Sequence, residues 1–180
     1  ALLSRGLGDV YKRQFIRCLQ SSGCQGGGGT ITMQVVRGYL LTREQTVIRK
    51  IKEIYLALEL ESNVGKQEIF ELYVNKIFLG NRSYGIEAAA NTYFDKGLAD
   101  LDISESATIA ALAQLPSKVN PVKNPRRTEL RRNWILSRML LLGYISQDEY
   151  KNAISQEIKI AKNINLYEVD AQHLAELVRQ

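Results

Sequence analysis

The chain has 180 residues, 45% of them hydrophobic, and 24 basic against 19 acidic side chains give it a net charge of +5. That length and apolar content suit one domain with a real core and exclude wholesale disorder. The positive balance fits nucleic acid, phosphate or an anionic membrane surface. Two cysteines, Cys18 and Cys24, make no disulfide framework. With one histidine, His173, close to the C-terminus, they support neither a metal centre nor a histidine-based triad. No stretch reaches the roughly 18 apolar residues of a membrane-spanning helix, and no signal peptide is recognisable.

Residues 1–14, ALLSRGLGDVYKRQ, have no clear period and read as an unmatched leader. Residues 21–29, SSGCQGGGG, read as a flexible loop whose glycines permit close backbone approach to a ligand. Helical patterning begins at Thr30, with a first helix over Thr30–Leu41. A second is predicted over Arg43–Glu61 with Thr42 as its cap, and a third over Lys66–Phe78, stopped by Gly80. Ile86–Phe94 is the fourth. Ser104–Leu115 is the fifth, stopped by Pro116. Asn124-Pro125 reads as cap and first turn of a sixth that ends at Gly143. Ser146-Gln-Asp-Glu149 is a capping box opening a seventh. Only Ile158–Ile164 hints at a strand, so the fold expected is all-α, without internal repeats.

Charge is concentrated in one segment. Between Ser117 and Arg138 lie Lys118, Lys123, Arg126, Arg127, Arg131, Arg132 and Arg138, opposed by Glu129 alone, and the rest of the chain is close to neutral. The segment reads either as a solvated helix face or as a surface for phosphate and lipid head groups.

The segment Arg43–Glu61 has two apolar faces on a helical wheel. Val47, Ile48, Ile51, Ile54, Tyr55 and Leu58 share an arc of about 120°, which reads as an ordinary core face. The opposite face carries Leu56, Ala57 and Leu60 with Arg49 and Glu53 among them. Lys52 and Glu59 take one flank and Lys50 and Glu61 the other. Arg49 and Glu53 are neighbours four residues apart, which fits a salt bridge or a pair of charges held ready for a substrate. Leu56 and Leu60 are expected to be less exposed than Lys52.

Four ordered segments resemble glycosyltransferase family 51, the peptidoglycan glycosyltransferase domain of class A penicillin-binding proteins. They are Gly27-Gly28-Gly29-Thr30-Ile31-Thr32-Met33-Gln34 with Arg37-Gly38, Arg49-Lys50-Ile51-Lys52-Glu53, Glu68 to Gly80, and Ala110-Ala111-Leu112-Ala113-Gln114-Leu115-Pro116 with Asn120-Pro121. The elements Arg131-Arg132-Asn133 and Gly143-Tyr144-Ile145 also match, and Arg82 to Ala90 looks most like the subtype 1A branch. The resemblance implies a lysozyme-like all-α domain over residues 15–160, with 161–180 starting a link toward a transpeptidase domain. Gly29 and Gly38 stand where the family usually has Ser and Asn. The family's first motif, with its Glu-Asp pair and His, has no counterpart, since residues 1–24 hold no Glu and no His.

By resemblance, the activity is polymerisation of lipid II into glycan strands, with inversion and release of lipid pyrophosphate. Glu53 would be the second catalytic acid, acting directly or through a divalent cation such as Mg or Mn. Arg37 and Arg49 would neutralise the pyrophosphate, with Thr30 and Gln34 lining the same site. Thr30 also reads as a plain helix cap. The partners implied are lipid II, the growing strand and the outer, periplasmic face of the bacterial cytoplasmic membrane, with no role for nucleic acid. Because the principal base belongs to the unmatched motif, the chain by itself is expected to form no polymer from labelled lipid II. Three alternatives compete: an inactive lipid-pyrophosphate binding module, a lysozyme-like glycan hydrolase, and a nucleic-acid binder using Ser117–Arg138, which lacks interleaved aromatic platforms apart from Trp134. The second is weakened by the arginine beside Glu53, which opposes a raised pKa.

Overall fold

The computed structural model describes residues 29–41 and 46–161. Among these the chain is all-α, with seven α-helices, one 3-10 turn and no strand beyond an isolated bridge between Phe78 and Tyr84. The helices fall into two compact units, Ala1–Ile77 and Phe78–Gln180.

The first unit contains α1 (Ile31–Tyr39), α2 (Val47–Asn63) and α3 (Lys66–Lys76). Thr30 caps α1: its backbone is extended and its hydroxyl accepts from the Met33 amide at 3.2 Å. The buried side chains of α1 are Thr32, Met33, Val35 and Val36, a helical stripe. The helix packs against both α2 and α3. α2 is capped by Thr46, whose hydroxyl accepts from the Arg49 amide at 3.1 Å. The cap expected at Thr42 and the helical start at Arg43 lie outside the described residues. α3 ends at Lys76, two residues before the predicted Phe78.

The wheel of α2 is correct in period, but of its two apolar faces only the one with Glu53, Leu56, Ala57 and Leu60 packs inward. Val47, Ile48, Ile51, Tyr55 and Leu58 are all exposed, with Ile48 at 68% and Tyr55 at 66%, and only Ile54 of that arc is partly buried. The buried stripe is instead Lys50, Glu53 and Ala57. Met33 and Val36 of α1 close on Ala57, with Leu41, Ile54, Leu56 and Leu60 around them. The polar groups go inside because α1 presents partners for them: Thr32 donates to Glu61 at 2.6 Å and Arg37 donates to Glu53 at 2.9 Å. Leu56 and Leu60 are less exposed than Lys52, as expected. Leu60→Ala should therefore cost about 2 kcal/mol, the lower end for a buried leucine because Leu60 is only partly buried. A urea midpoint unchanged from the parent would contradict this packing.

The second unit contains α4 (Ile86–Phe94), a 3-10 turn (Leu98–Asp100), α5 (Ile103–Leu112), α6 (Pro125–Leu141) and α7 (Gln147–Ser155). α5 opens on a capping box that sequence reading passed over. The Glu105 amide donates to Asp102 at 2.7 Å and the Asp102 amide donates to Glu105 at 3.0 Å. α5 ends at Leu112, three residues before the predicted Leu115. Pro125 opens α6 as predicted, but Asn124 makes no side-chain cap and donates instead to the Lys118 carbonyl at 3.2 Å. The Ser146–Glu149 box opens α7 as predicted.

Ala107, Leu136, Ile145 and Ala153 form the apolar centre where α5, α6 and α7 meet. Residues 158–161 form no strand, although the Ala161 amide donates to the Tyr93 carbonyl at 2.8 Å, and residues 162–164 lie outside the described residues. Gly80 has φ of +87°, and an added Cβ would lie 2.8 Å from the Tyr93 hydroxyl. Only glycine fits there.

Candidate functional site

Glu53 is the centre of the site, and it lies wholly within the first unit. Its side chain is 0% exposed. Three cations surround its carboxylate. Arg37 Nη2 reaches Oε1 at 2.9 Å from α1, Lys50 Nζ reaches the same oxygen at 2.8 Å, and Arg49 Nη1 stands 3.5 Å from Oε2. Lys50 and Arg49 lie three and four residues before Glu53 on α2, so helical geometry alone brings them alongside it. Arg37 is supplied by the neighbouring helix.

Oε1 is saturated while Oε2 has no hydrogen bond among the described residues, and Arg49 Nε has none either. Burial disfavours the ionised form of Glu53. The hydrogen bonds and positive charge of Arg37 and Lys50 outweigh it and hold the carboxyl below its ordinary 4.5. Glu53 is therefore an anion at neutral pH and has no proton to give. Three cations on one carboxylate leave a surplus of two positive charges. Arg49 and Lys50 side chains are 14% and 7% exposed, whereas that of Arg37 is 41% exposed and carries the surplus to solvent.

Thr30 caps α1, and Gly29 precedes it as the backbone reaches the cluster. A Cβ on Gly29 would lie 3.3 Å from Arg37 Nη2 and 3.8 Å from Glu53 Oε1. Gln34 donates to the Gly29 carbonyl at 3.4 Å. The structure thus gathers Arg37, Arg49 and Glu53 directly and ties Gln34 to them through Gly29. Gly38 is turned elsewhere, with Lys76 of α3 as its neighbour.

Lys50 is the residue that sequence reading missed. The wheel assigned it to a flank, yet only 20° separates it from Ala57 at 100° per residue, and its spacing of three from Glu53 was the available signal. The donor set does not fit a divalent cation: the one carboxylate faces three positive side chains, and no group of three His, Cys, Asp or Glu side chains among the described residues is placed to hold a metal ion.

The family model described as Transglycosylase matches residues 9–140. The chain is 50% identical over 167 residues to penicillin-binding protein 1A of Pseudomonas aeruginosa, covering 93% of this chain and 20% of that protein. It is 47% identical over 168 residues to penicillin-binding protein 1A of Haemophilus influenzae, again covering 93% of this chain and 20% of the relative. The crystal structure of penicillin-binding protein 1A from Haemophilus influenzae superposes with a TM-score of 0.56 at 49% identity, covering 68% of this chain and 18% of that one. The chain thus spans about a fifth of the length of these relatives. With the family's sequence pattern over most of its length and the all-α, lysozyme-like fold, the chain belongs to the transglycosylase family of penicillin-binding proteins.

Proposed function

We propose that this chain is the lipid-pyrophosphate-handling part of a peptidoglycan glycosyltransferase, the enzyme that joins lipid II units into glycan strands. The observation that carries the reading is the surplus of positive charge around Glu53, built from Arg37, Arg49 and Lys50. When an acceptor hydroxyl attacks the donor's anomeric carbon, the sugar–phosphate bond breaks and negative charge grows on the leaving pyrophosphate. Guanidinium groups fixed nearby stabilise that charge more in the transition state than in the ground state.

In this reading Glu53 does not take the acceptor's proton. It stays ionised and holds the two arginines and Lys50 in place, so that little ordering is needed when the anion arrives. Arg37, the most exposed of the three, meets the pyrophosphate first. The Gly29 backbone and Gln34 form the wall beside it. The proton-accepting base would come from a first motif upstream of Phe15. The reading puts the site at the outer face of the bacterial cytoplasmic membrane, where a lipid-linked donor is presented. No helix among the described residues is long and apolar enough to cross that membrane.

The test is binding of lipid II, and of inorganic pyrophosphate as its headgroup probe, by calorimetry. Loss of a charge-assisted hydrogen bond is worth about 1.5–3 kcal/mol, so Arg37→Ala and Arg49→Ala should each weaken binding roughly 10- to 100-fold. Unchanged binding in both variants would remove the basis of the proposal. The binding-module alternative would use the same charge cluster. It predicts the same binding losses and no turnover even after a first motif is supplied.

A further inference from the structure

The outer face of α6 combines features that the pyrophosphate site does not use. Leu130 is 65% exposed, Trp134 51%, Leu141 71%, Leu142 60% and Tyr144 75%. At 100° per residue Leu130, Trp134 and Leu141 fall within about 40° of one another. Arg126 borders this apolar stripe on one side and Arg127, Arg131 and Arg138 on the other. Arg126, Arg127 and Arg138 are exposed. Arg131 lies over the Trp134 ring, its guanidinium carbon 4.1 Å from the ring centroid. The opposite face, with Thr128, Arg132 and Leu136, is buried in the second unit, so the helix cannot rotate to hide the stripe.

We infer that this face of α6 docks flat on an anionic lipid surface, with Leu130, Trp134 and Leu141 in the headgroup–acyl boundary and the four arginines on lipid phosphates. The charge of the helix and that of such a surface are complementary. An apolar stripe bordered by long cations, with a Trp in it, is the pattern that lies in a membrane interface. A nucleic-acid partner would use the arginines but leave Leu130 and Leu141 without a role, and those leucines are among the most exposed large hydrophobic side chains of the unit. The inference does not rest on the chemistry of the Glu53 cluster, which lies on other helices.

Trp134 is the sole tryptophan of the chain, so its fluorescence reports this face alone. The chain is titrated with vesicles of phosphatidylcholine, and with vesicles in which a third of the lipid is phosphatidylglycerol. The expected result is a blue shift of emission and quenching by brominated acyl chains on the anionic vesicles, both suppressed by salt. Arg127→Gln with Arg138→Gln should weaken partitioning about 30-fold, two charges' share of the attraction to an anionic surface. Leu130→Ser with Leu141→Ser should weaken it while leaving the salt dependence. All four sites are exposed, and circular dichroism should show both double variants folded.

Emission unchanged on anionic vesicles that carry the protein on flotation would overturn the inference, because another face would then be binding. So would an absence of flotation, a blue shift that grows with protein concentration without lipid, or an equal shift on a DNA duplex. Inorganic pyrophosphate binding is read in parallel. Its retention alongside failed docking would overturn this surface only, and its loss alongside intact docking would overturn the pyrophosphate reading only.

Discussion

Glu53→Gln is expected to destabilise the protein by about 3–5 kcal/mol, the cost of leaving buried charge uncompensated. Lys50 is 5% exposed and its ammonium donates to Glu53 Oε1 at 2.8 Å, so the neutral amide leaves that buried cation without its counter-charge. Lys50→Met should restore part of the loss when combined with Glu53→Gln, since the double variant removes both charges. Urea unfolding of the two single variants and the double variant measures the coupling. Simple additivity would mean that the Lys50–Glu53 contact contributes nothing.

The same pair sets an acid dependence. Glu53 has a folded-state pKa below its ordinary 4.5, so the unfolded chain binds a proton on Glu53 more readily than the folded one. Its contribution to stability is present above about 4.5 and is lost as pH falls through the lower folded value. The unfolding midpoint of the parent should fall on acidification through that window, and the Glu53→Gln variant should follow a flatter curve there.

Arg132→Met is expected to cost about 3–5 kcal/mol, because each buried acceptor stripped of its donor costs roughly 1–3 kcal/mol. Arg132 is 0% exposed. Its guanidinium donates to Ser104 Oγ at 3.2 Å, to the Gln156 carbonyl at 2.8 Å and to the Ile154 carbonyl at 3.4 Å, and Nε donates to Asn133 at 3.0 Å. One side chain thus joins α5, α6 and the end of α7. The nearest acid, Glu129, is 4.0 Å away and half-exposed, so carbonyl oxygens rather than a carboxylate satisfy most of the charge. Arg132→Lys keeps the charge without the planar fork and should recover only part of the stability. A thermal midpoint within a degree or two of the parent for Arg132→Met would show that the three segments hold together without it.

Most of the helical layout was legible in the sequence, for reasons that differ by element. Ile86–Phe94 and the Ser146–Glu149 cap carry strong local signals, and both stand as read. Gly80 and Pro116 are the stop signals in the sequence, yet α3 and α5 close several residues before them, at Lys76 and Leu112. The core face of α2 could not be read from hydropathy. Its most apolar arc is exposed, and its buried stripe holds a lysine and a glutamate that become compatible with burial only through Arg37 and Thr32 of α1. A wheel drawn on one helix contains no information about a neighbour's donors.

The site was legible to the extent that charge at helical spacing marks it. Arg49 and Glu53 stand out in the sequence, whereas the wheel places Lys50 on a flank although it reaches the same Glu53 oxygen as Arg37. The link between Arg37 and Glu53 crosses 16 positions, and only the resemblance of the glycine-rich segment suggested it before the fold did. Arg132 lies in the basic segment that read as a surface, yet it is the one arginine there that is wholly buried.

The most direct measurement is glycan chain formation from labelled lipid II by a longer polypeptide that carries the family's first motif upstream of Phe15, comparing the parent with Glu53→Gln. The assay is run at a temperature where circular dichroism shows the variant folded. The account predicts that turnover falls at least about 100-fold, the scale of losing a preorganised electrostatic group, while lipid II still binds. Turnover at the parental rate would contradict it, and would reduce Glu53 to a structural counter-ion of Lys50 and Arg37.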